Sequence, residues 1–160
     1  MAWKVPSSND QKSIIGLEIL ATLLVDGRNS KLGKPLKEEQ NIVESIYVDL
    51  NTGEFGSLLI IEACCSDTNL KLVETTINNV LKKLILFGNY TNEELKIAQR
   101  IVKSNYLFNL ETSTQKSSFF GNHFLWGRRD PLKDLEIYLE YWNKRKNFKN
   151  IINVLDNKKY

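Results

Sequence analysis

The sequence is poor in the residues from which most active sites are built. In 160 residues it holds one histidine, His123, together with two cysteines, three prolines and one methionine. A catalytic zinc takes three protein ligands drawn mostly from His, Asp, Glu and Cys, so a single histidine excludes the usual ligand set. A serine or cysteine nucleophile would need the same histidine as its base, and the chain has no Gly-x-Ser-x-Gly elbow. His123 stands in "FFGNHFLWG" among Phe119, Phe120, Phe124 and Trp126, and this setting reads as a satisfied polar group in a packed core. The same aromatics lack interleaved basic residues until Arg128 and Arg129, which argues for packing over base stacking.

The two cysteines, Cys64 and Cys65, are adjacent. In a strand they would point to opposite faces, so a bond between them is not expected, and they read as small core hydrophobes in a reducing compartment. A cytoplasmic location is therefore expected. Long apolar runs are missing too: Ile14 to Val25 is interrupted by Glu18 and falls short of the ~20 residues of a membrane span. The opening residues do not read as a secretory signal. Nor does charge of one sign prevail, since 22 basic and 19 acidic residues leave a net charge of +3. No broad basic face is expected, and with it no nucleic-acid partner and no membrane surface.

One stretch tempts a phosphate-loop reading, "DGRNSKLGKP" from Asp26 to Pro35. A P-loop needs Gly-x-x-x-x-Gly-Lys followed by Ser or Thr. Here five residues separate Gly27 from Gly33, and Lys34 is followed by Pro35, which offers neither hydroxyl nor N–H. The stretch has to be explained by what surrounds it.

What is present is a regular alternation of elements in a chain that is 42% hydrophobic, enough for one core and one domain over 1–160. An extended lead, Ala2 to Pro6, precedes a cap cluster at Ser7 to Asp10 and a helix to about Val25 that is apolar almost all round. A short helical piece opens at Ser30 or Lys34, where Pro35 is tolerated in the first turn. Apolar residues at even positions from Ile42 to Leu50, the turn Asn51-Thr52-Gly53-Glu54 and a run from Phe55 to Cys65 predict a β-hairpin. Its "LLIIEACC" strand is apolar on both faces, as a central strand covered by helices would be.

Asp67 or Thr68 starts a helix with an apolar stripe at Leu70, Val73, Ile77, Val80, Leu81 and Leu84, closed by Gly88. Thr91 and Glu94 form a capping box for a long helix toward Phe108. Asp130-Pro131 caps another, with Leu132, Leu135, Tyr138, Leu139 and Trp142 on one side, and a last short helix runs from about Phe148 to Leu155. The acids Glu38-Glu39 and Glu93-Glu94 sit at helix starts, where the macrodipole explains them. "KNFKNIINVLDNKK" reads as a solvated basic face. The fold class is α+β, a sheet with a hairpin covered by several helices, one of them long.

This order resembles the insulinase/pitrilysin-like zinc peptidases, which include the mitochondrial processing peptidase. In that family a strand near "W..P" leads to a helix and then to Gly-x-x-Ser-Arg-Leu-x-x-x-Leu-Arg-Glu, and here the match is "GRNSKLGKPLKEEQ". "TNEELKIAQRIVKSNYLF" is similar to the family's Thr-x-x-Glu-Leu-x-x-Ala-Lys helix, and "LETSTQKSSFFGNHFLWGRRDPLKDLEIYLEYW" follows its Glu-Ser stretch, glycine turn and aspartate-led helix. The resemblance implies an α+β building domain of a larger multi-domain peptidase, forming chamber wall and supporting the binding of unfolded peptide. Its partners would be the other domains of the same peptidase, and it allows a homodimer.

The resemblance also implies that zinc is held elsewhere, because His-x-x-Glu-His, the family's zinc and general-base motif, is missing from this chain. No cofactor is expected here and no catalytic residue. Arg28, Lys31 and Lys37 would face the substrate chamber as exposed charges. The substrate-binding half of the family carries an arginine and a tyrosine where this chain has Lys37 and Glu44, and Pro35 departs from the family's helical run. The chain is therefore more like the second domain of the zinc-bearing half. The alternative is a non-catalytic assembly subunit of the same ancestry.

Overall fold

The computed structural model describes residues 1–27, 29–125 and 127–156; Arg28 and Trp126 lie outside the described residues. The architecture is α+β, a small antiparallel sheet under a larger helical layer. At its centre is α1 (Gln11–Val25), started by Asp10, whose side chain accepts from the Ser13 N–H at 3.1 Å. Ten of its fifteen residues are buried, which only a helix enclosed on several sides can achieve.

The sheet packs on one side of α1. It comprises β1 (Ala2–Val5), β2 (Ser45–Asn51) and β3 (Ser57–Cys64) in the order β1-β3-β2, both pairs antiparallel. The register aligns Trp3 with Leu59 and Leu59 with Leu50, and Ile61 with Val48, giving one inward row across the three strands. Trp3 is fully buried, and its indole N–H donates to the Leu155 carbonyl at 3.1 Å, tying the first strand to the end of the described chain. The hairpin and the central place of β3 agree with the sequence expectation. Helix cover on both faces does not: Tyr47 is 59% and Leu58 39% exposed, so the face opposite α1 remains open. Strand alternation explains it, because Glu62 shares that face with Leu58 and its carboxylate cannot be buried without a partner.

The connector after α1 closes with a wide helical turn, Lys34–Glu39, in which the Gln40 N–H reaches the Pro35 carbonyl at 3.3 Å. Leu32 and Leu36 are fully buried, as a pinned connector requires. Glu38 and Glu39 lie at the end of this turn rather than its start. Helix α2 (Leu70–Phe87) buries Val73, Ile77, Leu81 and Leu84 and stops at Gly88, whose φ of 57° is the left-handed conformation that glycine adopts freely. Leu70 does not belong to this stripe; it is 64% exposed at the first turn, preceded by a 3-10 turn over Asp67–Asn69.

Helix α3 (Asn92–Phe108) begins with the full capping box of Thr91 and Glu94 and packs along α1. Residues 113–125, where no helix was expected, form α4 (Ser113–Leu125). Thr112 and Gln115 cap it reciprocally at 3.1 and 3.2 Å. Of the aromatics expected in the core here, Phe119 makes edge contacts with Tyr106 and Phe120, but Phe124 is 73% exposed. Helices α5 (Pro131–Trp142) and α6 (Arg145–Ile152) complete the cover over α1, and Trp142, Phe148, Ile151 and Ile152 are all buried.

Candidate functional site

The connector that the sequence marked as substrate-facing divides in two. Lys31 is not an exposed charge. Its Nζ lies 2.7 Å from Glu94 Oε1, with side-chain exposures of 15% and 24%, so the cation is committed to the start of α3. Glu94 also accepts from the Thr91 N–H at 2.7 Å through its other oxygen. Burial raises the Glu94 carboxyl, but the bonds from Lys31 and Thr91 and the Lys31 charge outweigh it and hold the group below its ordinary range. Lys37 is exposed and opens on a cleft of about 270 Å³ shared with Glu38, Ser45 and Tyr47, beside the outer edge of β2. The structure therefore does not bring Lys31 and Lys37 together. Arg28, the third of the set, lies outside the described residues.

A second polar locus went unnoticed in the sequence. Glu18 sits on α1 with its side chain toward α3, where the Tyr106 hydroxyl donates to Glu18 Oε1 at 3.4 Å. Its other oxygen, Oε2, is buried without a hydrogen-bond partner among the described residues. Desolvation pushes this carboxyl up to about 7, against the lowering influence of the Tyr106 hydrogen bond and the Arg128 charge. Burial and the Glu18 charge drive the Tyr106 phenol upward as well.

Arg128 donates to the Ser8 carbonyl and meets His123 Nδ1 at 3.3 Å, and His123 packs against the Phe119 ring at 4.4 Å between centroids. His123 is buried, as expected, and burial followed by the Arg128 charge lowers its basicity. The legible signal for this cluster was Glu18 itself. A lone acid on a helix that is apolar all round has to be buried and must find polar company.

Zinc, which the family resemblance places on another domain, needs about three protein ligands in one group. Among the described residues no three of His, Cys, Asp and Glu gather as a metal-ligand group. The one histidine is engaged with Arg128. The cysteines are both unbridged: Cys65 packs partly against the core, whereas Cys64 is exposed, with Sγ 3.5 Å from a Glu44 oxygen, and so is not the core hydrophobe expected of it. These residues do not fit zinc. Among the described residues no helix is long and apolar enough to cross a membrane.

The sequence profile described as "Peptidase M16 inactive domain" matches residues 1–102, more than half of the chain. The chain belongs to the peptidase M16 inactive-domain family. No curated protein sequence matches this M16 domain. Its fold is shared with a protease from Helicobacter pylori at a TM-score of 0.82 and 21% identity, over 95% of this chain and 36% of that one. It is also similar to the peptidase M16 inactive domain from Pseudomonas fluorescens, at a TM-score of 0.71 and 17% identity over 95% of this chain and 36% of the other. The periplasmic protease PqqL from Escherichia coli aligns at a TM-score of 0.74 and 13% identity, over 95% of this chain and 17% of its own length. At these identities the likeness is one of fold. The M16 domain described here spans about a third of the length of the Helicobacter pylori protease.

Proposed function

We propose that this chain is a non-catalytic domain of an insulinase-like zinc metallopeptidase, part of a larger multi-domain protein, whose zinc motif lies on another domain. It forms part of the wall of the substrate chamber and supports peptide binding. The observation that carries this reading is the one-sided sheet: Trp3, Leu59 and Ile61 are buried on its inner face, where α1 packs against β2, while Tyr47, Leu58 and Glu62 stand on an open face. An open, partly apolar strand surface next to the Lys37 cleft offers an extended peptide both contact area and a charge. Arg28 and Lys37 are the substrate-facing cations in this reading, and Lys31 contributes by holding the connector against α3. The two unbridged cysteines favour a reducing, cytoplasmic setting.

Assembly with other domains of the same protein is part of the proposal, and α4 suggests one place for it. Phe120 and Phe124 lie one turn apart on that helix, both exposed. Backbone amide shifts during titration with an unstructured peptide test the wall reading. Shifts confined to Tyr47, Asp49, Leu58 and Glu62 are expected; shifts confined to the helical side, or none, would contradict it.

A further inference from the structure

A cleft of about 310 Å³ runs between α1, α3 and β2, at the lower end of the roughly 300–1,000 Å³ typical of ligand sites. Two helical stripes face each other across it. Glu18, Thr22 and Asp26 follow one another at four-residue spacing along α1 and its cap, opposite Val102, Asn105 and Tyr106 of α3. Val25, Val48, Leu50 and Val102 give it an aliphatic wall. The inner end holds Glu18, and the outer end holds Asp26 and Asn105, both exposed.

We propose that this cleft binds a primary ammonium or guanidinium group carried on an aliphatic stem, with Glu18 as the counter-charge. Glu18 Oε2 is a buried acceptor with no hydrogen-bond partner among the described residues, in a cleft that a ligand can enter. A buried oxygen of this kind carries a desolvation cost that a donor entering the cleft would remove. The sign follows from the groups that face it: Glu18 and Asp26 are acids, Tyr106 is a phenol held neutral, and Thr22, Asn105 and Asn109 are uncharged.

Among the described residues Arg128 is the cation that favours the ionised form of Glu18, and it also donates to the Ser8 carbonyl and meets His123. An anion would meet two acids, and a metal ion would find no ligand set among the described residues. The aliphatic wall suits a stem of several methylenes, as in a lysine or arginine side chain or in a free alkylamine. This inference is independent of the peptide-wall reading, since a free amine would satisfy it.

The test is calorimetric titration of the whole chain at pH 8 with three ligands: n-butylammonium, a capped alanine pentapeptide with a central lysine, and the same peptide with norleucine in place of lysine. Binding of butylammonium or the lysine peptide is expected, weakened about tenfold or more by Glu18→Gln, which keeps the shape and removes the charge. Asp26→Asn, at the exposed mouth, should weaken it about two- to threefold and serves as a second variant where folding is not at issue. Affinity should also fall as pH drops from 8 to 5.5, because burial keeps the Glu18 proton bound there. Binding of butylammonium alone identifies a free amine as the ligand and leaves the peptide wall unsupported. Equal binding of the lysine and norleucine peptides would overturn the cation site while leaving the wall intact. No binding of either cation, or no loss in both variants, would also overturn it.

Discussion

A side chain at position 16 would collide with Trp142. A Cβ built on Gly16 lies 2.7 Å from Trp142 Cε2 and 3.1 Å from Ile151 Cγ1. The indole cannot withdraw easily, because it is buried and its N–H donates to the Lys12 carbonyl at 2.8 Å. Gly16 is thus the point where α5 and α6 come close to α1. Helix propensity alone favours Gly16→Ala by about 1 kcal/mol, whereas overpacking costs about 1–3 kcal/mol. The collision should win, and a thermal melt should show a lowered midpoint. A raised midpoint would mean that α5 and α6 do not press on α1 there.

The Lys31–Glu94 contact predicts a pH-limited effect. Glu94 has its pKa lowered from 4.5 by folding, so its contribution is present above that value and lost as pH falls through the folded pKa. Lys31→Ala should cost about 1 kcal/mol at neutral pH, the scale of one partly shielded charged hydrogen bond. The cost should disappear in acid. Leu32→Ala, at a fully buried position, should cost about 2–5 kcal/mol at every pH. Denaturant melts of both variants across pH 3–8 separate the two kinds of loss.

Glu18 predicts the opposite slope. Its folded pKa is raised from 4.5 to about 7, so its contribution is fully present below 4.5 and is lost as pH rises through 7. The shift corresponds to a change on the order of 3 kcal/mol. Glu18→Gln should therefore gain on the native chain between pH 4.5 and 8 in paired melts. A stability difference that stays constant across that range would place the carboxyl in solvent.

On α2, Leu81→Ala should cost about 2–5 kcal/mol through the cavity it leaves, while the exposed Lys82→Ala should cost under ~0.5 kcal/mol. Leu81 is 3% exposed, one position from solvent-facing Lys82. Equal losses in denaturant melts would mean that this helix is turned about its axis.

Elements with local punctuation were legible in the sequence. The box of Thr91 and Glu94, the stop at Gly88, the Asp130 cap and the alternation in the hairpin all act within a few residues, and each is found where it was expected. Helix α4 was missed because its apolar stripe is weak, although Thr112 and Gln115 carry the same reciprocal cap as Thr91 and Glu94. Leu70, Phe124 and Cys64 were misplaced because composition cannot tell a core side chain from one at an uncovered edge. The Glu18 locus was legible only as a lone acid on an apolar helix; its partner was not, because Tyr106 lies 88 residues away and only the packing of α3 on α1 brings the two together. The pairing of Lys31 with Glu94, across 63 residues, is of the same kind.

The role proposed for this domain is to hold peptide without cutting it. The most direct measurement is the fluorescence anisotropy of a labelled unstructured peptide, followed for hours after mixing with the chain in the presence of zinc. The account predicts a rise on mixing that then stays level, because the sequence carries no His-x-x-Glu-His motif and the described residues gather no metal-ligand group. A rise followed by decay below the starting value would report cleavage and contradict it, and the absence of any rise would contradict the peptide-binding role.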